Sequence, residues 1–500
     1  MEVIGVAENF GNLRHAMKRI LITTFNRRSL LSALAIAGLS FSFAGQAWAE
    51  QHTAGVPALS SRPGAAYTVY LDFAGFNYTG DWNNKTPGNS AAYGDVAANG
   101  TFSGQHVSDI QKVWALVSGQ YAAFNINVTT VDPATGVNAA TDFARQNFYA
   151  NTPNMMHTIF TSQFHDGANW YGPGLAGLSF AGSTNGTENY SGGHTNWIFS
   201  ADSTYNEVGN TRFLAQGATH ENGHGLGLIH QGDYTGNTLI NDYSLGDSNA
   251  SGGLTGPGTY GAIMGDGNFA QRLAFRVGDS NNGTPTHKQN DVALLLSTNT
   301  VANALAEGRT GGADLHLKED GIGHTLATAT PLAFNGDNVD FNLATGVIVP
   351  LSESNPLALG ANNYTKDYFS FTLQSTALIS LTAHNDSQFL TPGVADGMGA
   401  LRSTLKIFNT SGGVIGTAVE DASTLFETFT GTLSAGTYYA EIASFGGHEQ
   451  ISPDFNAAQY FDMGAYFVTG TGFTNAVPEP GTFGLLIVGA AMMLRRRRQA

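Results

Sequence analysis

The sequence predicts two folded parts of different class, an α/β domain over residues 66–310 and an all-β sandwich over residues 311–475. Three observations predict this. Apolar residues first recur with a strand period, then a helix period, then a strand period again, as an α/β domain requires. Past Gly311-Gly312 the helical period fades, and short alternating stretches follow with turns between them. Composition agrees: 42% of the 500 residues are hydrophobic, only 12% are charged, and Gly occurs 63 times. That mix favours packed sheets with tight turns over long charged helices.

In the first part, Tyr67 to Phe73 reads as a strand with Val69 and Leu71 on one face. Val107 to Phe124 reads as a helix. Ile110, Val113, Trp114, Val117 and Tyr121 recur at steps of three and four, and Ser108 and Gln111 have capping-box spacing. Asn125 to Val131 alternates as a half-buried strand does, and Asn196 to Ser200 is a further strand. In the second part, Asp367 to Leu373, Ala377 to Ala383, Ser403 to Phe408, Thr437 to Ile442 and Ala465 to Thr471 are strand candidates. Their spacing fits a sandwich.

The two ends read as addresses. Lys18, Arg19, Arg27 and Arg28 precede the apolar run Leu30 to Ala44 and the small-x-small site Ala47-Trp48-Ala49. Residues 1–49 are therefore expected to be a signal peptide removed by signal peptidase. Residues 50–65 are expected to be a flexible polar leader. Residues 476–500 carry Pro478-Glu479-Pro480, an apolar run from Thr482 to Leu494, and Arg495 to Arg498. The run is short for a stable span, and the arginines would hold its end on the cytoplasmic side. Motif, span and basic tail in this order resemble the PEP-CTERM sorting signal. The resemblance implies processing by an exosortase-type enzyme and a place at the cell surface or in the extracellular matrix of a Gram-negative bacterium.

Formal net charge is −16. Setting aside five basic and two acidic residues in 1–49 and the four arginines at 495–498 leaves 13 basic against 36 acidic, or −23. Such a body is repelled by nucleic acid, and membrane contact is expected only through the sorting segment. There is no Cys, so neither disulfides nor a thiol bound to metal can contribute.

The chemistry sits in His220-Glu221-Asn222-Gly223-His224-Gly225-Leu226-Gly227-Leu228-Ile229-His230. Helical residues four apart lie about 40° apart around the axis, so His220 and His224 face one point. Gly227 lets the chain leave the helix sharply, and His230 returns as a third ligand. Three imidazoles leave the fourth position of one catalytic zinc ion open for water. Glu221, beside the first ligand, is the expected general base. Residue frequencies alone give HExxH in such a chain at a rate of roughly 1%, and the added Gly227 and His230 lower that to the order of one in ten thousand.

The full pattern resembles the metzincin zinc peptidases. Tyr260-Gly261-Ala262-Ile263-Met264-Gly265 fits that family's methionine turn, with Met264 placed 34 residues after His230. Val69 to Gly75 and Phe124 to Pro133 add a likeness to a bacterial reprolysin-like group over about residues 66–300. The resemblance implies a twisted mixed sheet backed by helices, Met264 packed beneath the imidazoles, and a protein or peptide substrate laid along an edge strand. Gly174 to Ala181 is the candidate edge. Where some metzincins carry a Tyr two residues after the Met, this chain has Asp266, so no tyrosine ligand is assigned. In the second part, Glu319 to Thr325, Asp367 to Phe371 and Tyr438 to Glu441 resemble the pre-peptidase C-terminal domain, which implies an accessory binding role.

The remaining histidines share no ligand spacing. Asp279 to Asn282 and Asp247 to Asn249 read as turns, and calcium has no other support. The expected function is exported zinc-dependent endopeptidase activity on extracellular proteins. The alternatives are a non-catalytic surface or matrix binding protein on the same scaffold, and a zinc hydrolase acting on other bonds.

Overall fold

The computed structural model describes residues 52–477 apart from internal stretches, the longest being 183–193, 200–207, 245–259, 297–314, 390–397 and 445–458. The expected signal segment, the expected sorting segment beyond Val477 and the Asp247 to Asn249 cluster lie outside the described residues. Among those described, no helix is long and apolar enough to cross a membrane.

The first part is built on a five-stranded sheet. Its elements are β1 (Tyr67–Asp72), α1 (Gln105–Gln120), β2 (Ile126–Thr129), α2 (Asp142–Asn151), β3 (Met155–Thr161), β4 (Gly177–Leu178), β5 (Thr195–Phe199) and α3 (Thr211–Gly225). Strand order is β2-β1-β3-β5-β4. The first four strands are parallel, and the edge strand β4 runs antiparallel to β5. The central β3, Met-Met-His-Thr-Ile-Phe-Thr, is buried at every residue, as a strand covered on both faces must be. On one face Val69, Leu71 and Val128 pack against Val113, Trp114 and Val117 of α1 and Leu214 and Ala218 of α3. The other face holds Tyr70, Tyr149 of α2, Ile159 and Trp197.

Two local expectations differ from the structure. The helix begins at Gln105 after Gly104, whose φ is 52°, with no side-chain cap, so Ser108 and Gln111 lie inside it. Residues 50–65 were expected to be flexible, yet 52–62 are tied down along the sheet. Thr53 N donates to Ala74 O, and Arg62 N to Asn127 Oδ1, both at 2.9 Å. Ser60 Oγ meets Thr129 Oγ1 at 2.8 Å. These bonds also explain why β2 is buried at all four residues: its polar side chains face this strap, not water.

After α3 come the hairpin β6 (Asp233–Thr235) and β7 (Thr238–Asn241), then β8 (Tyr260–Ala262), β9 (Arg272–Ala274), β10 (Arg276–Asp279) and α4 (Asp291–Leu296). Among the described residues, the second part is dominated by two sheets. One contains β12 (Lys366–Leu373), β14 (Ser403–Asn409), β15 (Val414–Val419) and β17 (Gly436–Ser444) in the order β12-β17-β14-β15. The other contains β11 (Thr345–Ile348), β13 (Ala377–His384), β16 (Phe426–Leu433) and β18 (Gly464–Thr471) in the order β11-β18-β13-β16. Phe369, Phe371, Ile379, Leu381, Ala440, Ile442 and Val468 form their common core. Taken whole, the described chain is rich in sheet and has few helices.

Candidate metal centre

Helix α3 carries the first two histidines, and its glycines set how closely it can approach its neighbours. A Cβ on Gly223 would stand 2.6 Å from Met264 Sδ, and one on Gly225 would stand 2.6 Å from Met156 Cε. Mid-helix Gly is unfavourable by about 1 kcal/mol relative to Ala. Here it lets the helix sit directly on the central strand and on the methionine turn. Asn222 fastens the same face, donating to Ala218 O at 2.7 Å and to Thr158 Oγ1 at 3.0 Å.

The helix ends where the sequence places the turn. Gly227 adopts φ of 105°, and its N donates to His224 O at 2.8 Å, while Leu228 N donates to Gly223 O at 2.9 Å. The chain reverses and delivers His230. One ring nitrogen of each of His220, His224 and His230 then lies within 4.8 Å of the others, and all three residues are buried. Nε2 of His224 and Nε2 of His230 are 2.9 Å apart.

This donor set fits a metal ion. His220 Nδ1 donates to Ile263 O at 2.8 Å, and His224 Nδ1 donates to Leu228 O at 2.9 Å. Those bonds fix the tautomer and leave each Nε2 lone pair directed to the common point. Burial holds His220 down at about 4, and burial with the neighbouring rings holds His230 well below its usual range. Neutral imidazole is the ligand form, so the pocket is set for ligation across neutral pH.

Glu221 is 6% exposed and lies against the edge strand. A Cβ on Gly177 would come within 2.8 Å of Glu221 Cγ and 2.9 Å of its Oε1. Burial pushes the carboxyl up to about 8, and a divalent ion at the triad would act in the opposite direction. A small pocket of about 40 Å³ opens beside His220 and Glu221, between α3, Gly177 and the Gly265-Asp266 turn. Of the candidate edge, Gly177 and Leu178 form the observed strand.

Met264 packs on α3 at Gly223, and its carbonyl accepts from Gln231 N at 2.8 Å. The turn is thereby bonded to the residue after the third histidine. Several contributors to this site escaped the sequence reading. Tyr243 lines the pocket, with its ring centroid 4.4 Å from that of His230. Asp291 accepts from Gln231 Nε2 at 2.7 Å and Gln289 Nε2 at 2.8 Å through one oxygen, and from Arg276 N at 3.0 Å through the other. Gln289 also brackets Ile229, accepting from its N at 2.9 Å and donating to its O at 2.8 Å. This buried network fixes residues 229–231 and hence the His230 ring. Its members are scattered over 60 positions with no shared spacing, so no sequence signal marks them.

No protein-family model matches the chain, and no curated protein does. A crystal structure of the pre-peptidase C-terminal domain of a collagenase from Bacillus anthracis shares 11% identity, covers 25% of this chain and 85% of that one, and superposes with a TM-score of 0.16. At that score the likeness carries no argument, and the architecture of the second part stands on its own strand pairing. The buried histidine triad is compatible with a metal ion.

Proposed function

We propose that this chain is an exported zinc-dependent endopeptidase of the metzincin type. The observation that carries the reading is the convergence of His220, His224 and His230 with Glu221 beside an open sheet edge. The three Nε2 atoms would hold the ion, and Met264 would support the rings from below. When bound, zinc would supply Lewis-acid polarisation of the scissile carbonyl and lower the pKa of water toward about 7. A peptide in extended form would pair its backbone with β4, where Gly177 leaves room close to Glu221. Glu221 would accept the proton of the attacking water and return it to the leaving amine. Burial of the site would exclude bulk water from that transfer. Substrates would be extracellular proteins met at the envelope or in the matrix.

The test pairs zinc content with casein cleavage in the parent and in Glu221→Ala. One zinc per chain in both, with cleavage lost in the variant alone, is the expected result. Stoichiometric zinc with no cleavage by the parent on casein or a diverse peptide library would overturn the catalytic reading and favour a binding protein.

A further inference from the structure

A second pocket, which shares no lining residue with the one at the metal centre, lies on the seam between the two parts. Arg62 and Lys318 line it together with Ser61, Ser118 near the end of α1, and Ser387 from the sandwich. Two cations thus share one cavity of about 40 Å³, several times what a single water needs. Neither has an ion-pair partner among the described residues, in a chain with 38 acidic side chains. Arg62 Nη1 is buried without a hydrogen-bond partner. Ser118 Oγ is likewise buried and unpartnered, on a residue 5% exposed. Asp320 acts on Lys318 electrostatically, yet its two oxygens already accept from Ile322 N at 2.9 Å and Val347 N at 2.6 Å.

Such an arrangement is costly without a counter-charge, because like charges in a partly desolvated site repel. Burial and the nearby guanidinium together hold the Lys318 ammonium below its ordinary range. The carbonyl end of α1 offsets part of the charge, but no side-chain bond to it satisfies Arg62 Nη1. Hydroxyl donors are available as well. Ser61 Oγ accepts from Val128 N at 2.9 Å, and Ser387 Oγ accepts from Phe389 N at 3.4 Å, so each keeps its own proton to give.

We propose that this pocket binds one small tetrahedral oxyanion, phosphate or sulfate, held by Arg62, Lys318 and the Ser118 hydroxyl, and that the anion bolts the α/β part to the sandwich. Tetrahedral oxyanions match the site because they offer acceptors in several directions at once, toward two cations and a ring of hydroxyls.

Thermal unfolding and titration calorimetry at constant ionic strength test this, with chloride replaced by phosphate, sulfate or acetate. The full chain should show a saturable rise in Tm at millimolar phosphate or sulfate and a matching one-site binding isotherm. Arg62→Gln and Lys318→Met should lose that increment while being at least as stable as the parent in chloride. Ser118→Ala, which risks the fold least, should weaken anion binding about tenfold, the loss of one hydrogen bond to a charged group. An equal rise in parent and variants would mean general exclusion of these salts from the surface and would overturn the proposal. So would the absence of a saturable rise in the parent, or saturation by acetate with equal affinity.

Discussion

Gly223 lies against Met264, and Tyr243 lies against His230. A methyl group on Gly223 meets Met264 Sδ at 2.6 Å, and Met264 is fully buried. Gly223→Ala gains about 1 kcal/mol in helix propensity, against about 1–3 kcal/mol for overpacking. The variant is expected to be mildly destabilised in urea unfolding and to bind metal at least tenfold more weakly in chelator competition. Unchanged metal affinity would mean that the methionine turn does not set the ring positions. Tyr243 acts through its ring, which packs on His230. Tyr243→Ala is expected to weaken metal binding by about tenfold, within the range for supports of metal ligands, whereas Tyr243→Phe keeps parental affinity. If Phe behaves like Ala, the hydroxyl and not the ring is what matters.

Among the sheets, β13 offers the clearest pH dependence. His384 is buried on it between Phe467, stacked at 4.4 Å, and Phe426, at 4.2 Å. Burial lowers its pKa from 6.5 to about 4, so the folded protein holds it neutral while the unfolded chain takes up a proton. Its contribution is complete above pH 6.5 and is lost as pH falls toward 4, by up to about 3 kcal/mol. Urea midpoints between pH 7 and 4 should therefore drop less steeply for His384→Gln than for the parent, and parallel curves would refute the assignment. How far such elements could be read beforehand depends on pattern. β12, β13, β14, β17 and β18 were each legible to within two residues, because core residues recur at every second position along each of them. The central β3 was not singled out, since a strand buried on both faces has no alternation to show. The hairpin β6-β7, which leads to Tyr243, has no buried residue and gave no periodic signal. At the site, the ligand spacing and Gly227 were legible because they are local. The Gln231, Gln289 and Asp291 network was not, because folding alone brings it together.

Across the whole molecule, the second part does more than append a surface. Arg272 of β9 is fully buried, and it donates to the backbone carbonyls of Gly399 and Leu401 and to Glu420. In the same strand register Tyr260 pairs with Arg272 and Ala262 with Ala274. The chain then passes from Ala262 straight into Ile263, which receives His220, and Met264, which underlies the helix. Ala400 completes the packing against Tyr260, Ala262 and Ala274. Val347, Val349, Met398 and Met463 join the same apolar core as Met264. An antiparallel pairing of Gln459–Tyr460 with β10 adds a further tie. The sandwich thus buttresses the strand pair that carries the methionine turn, a role that the accessory reading of its sequence did not include. Removing one partner of a buried charged pair costs about 3–5 kcal/mol. Glu420→Gln and Arg272→Met are accordingly expected to give up their metal at chelator concentrations that the parent withstands. A chain cut after residue 310 should not retain metal at all. Equilibrium dialysis of that fragment settles the matter: if it folds, by circular dichroism, and binds zinc as tightly as the parent, the sandwich is a passenger and the buttress does not exist.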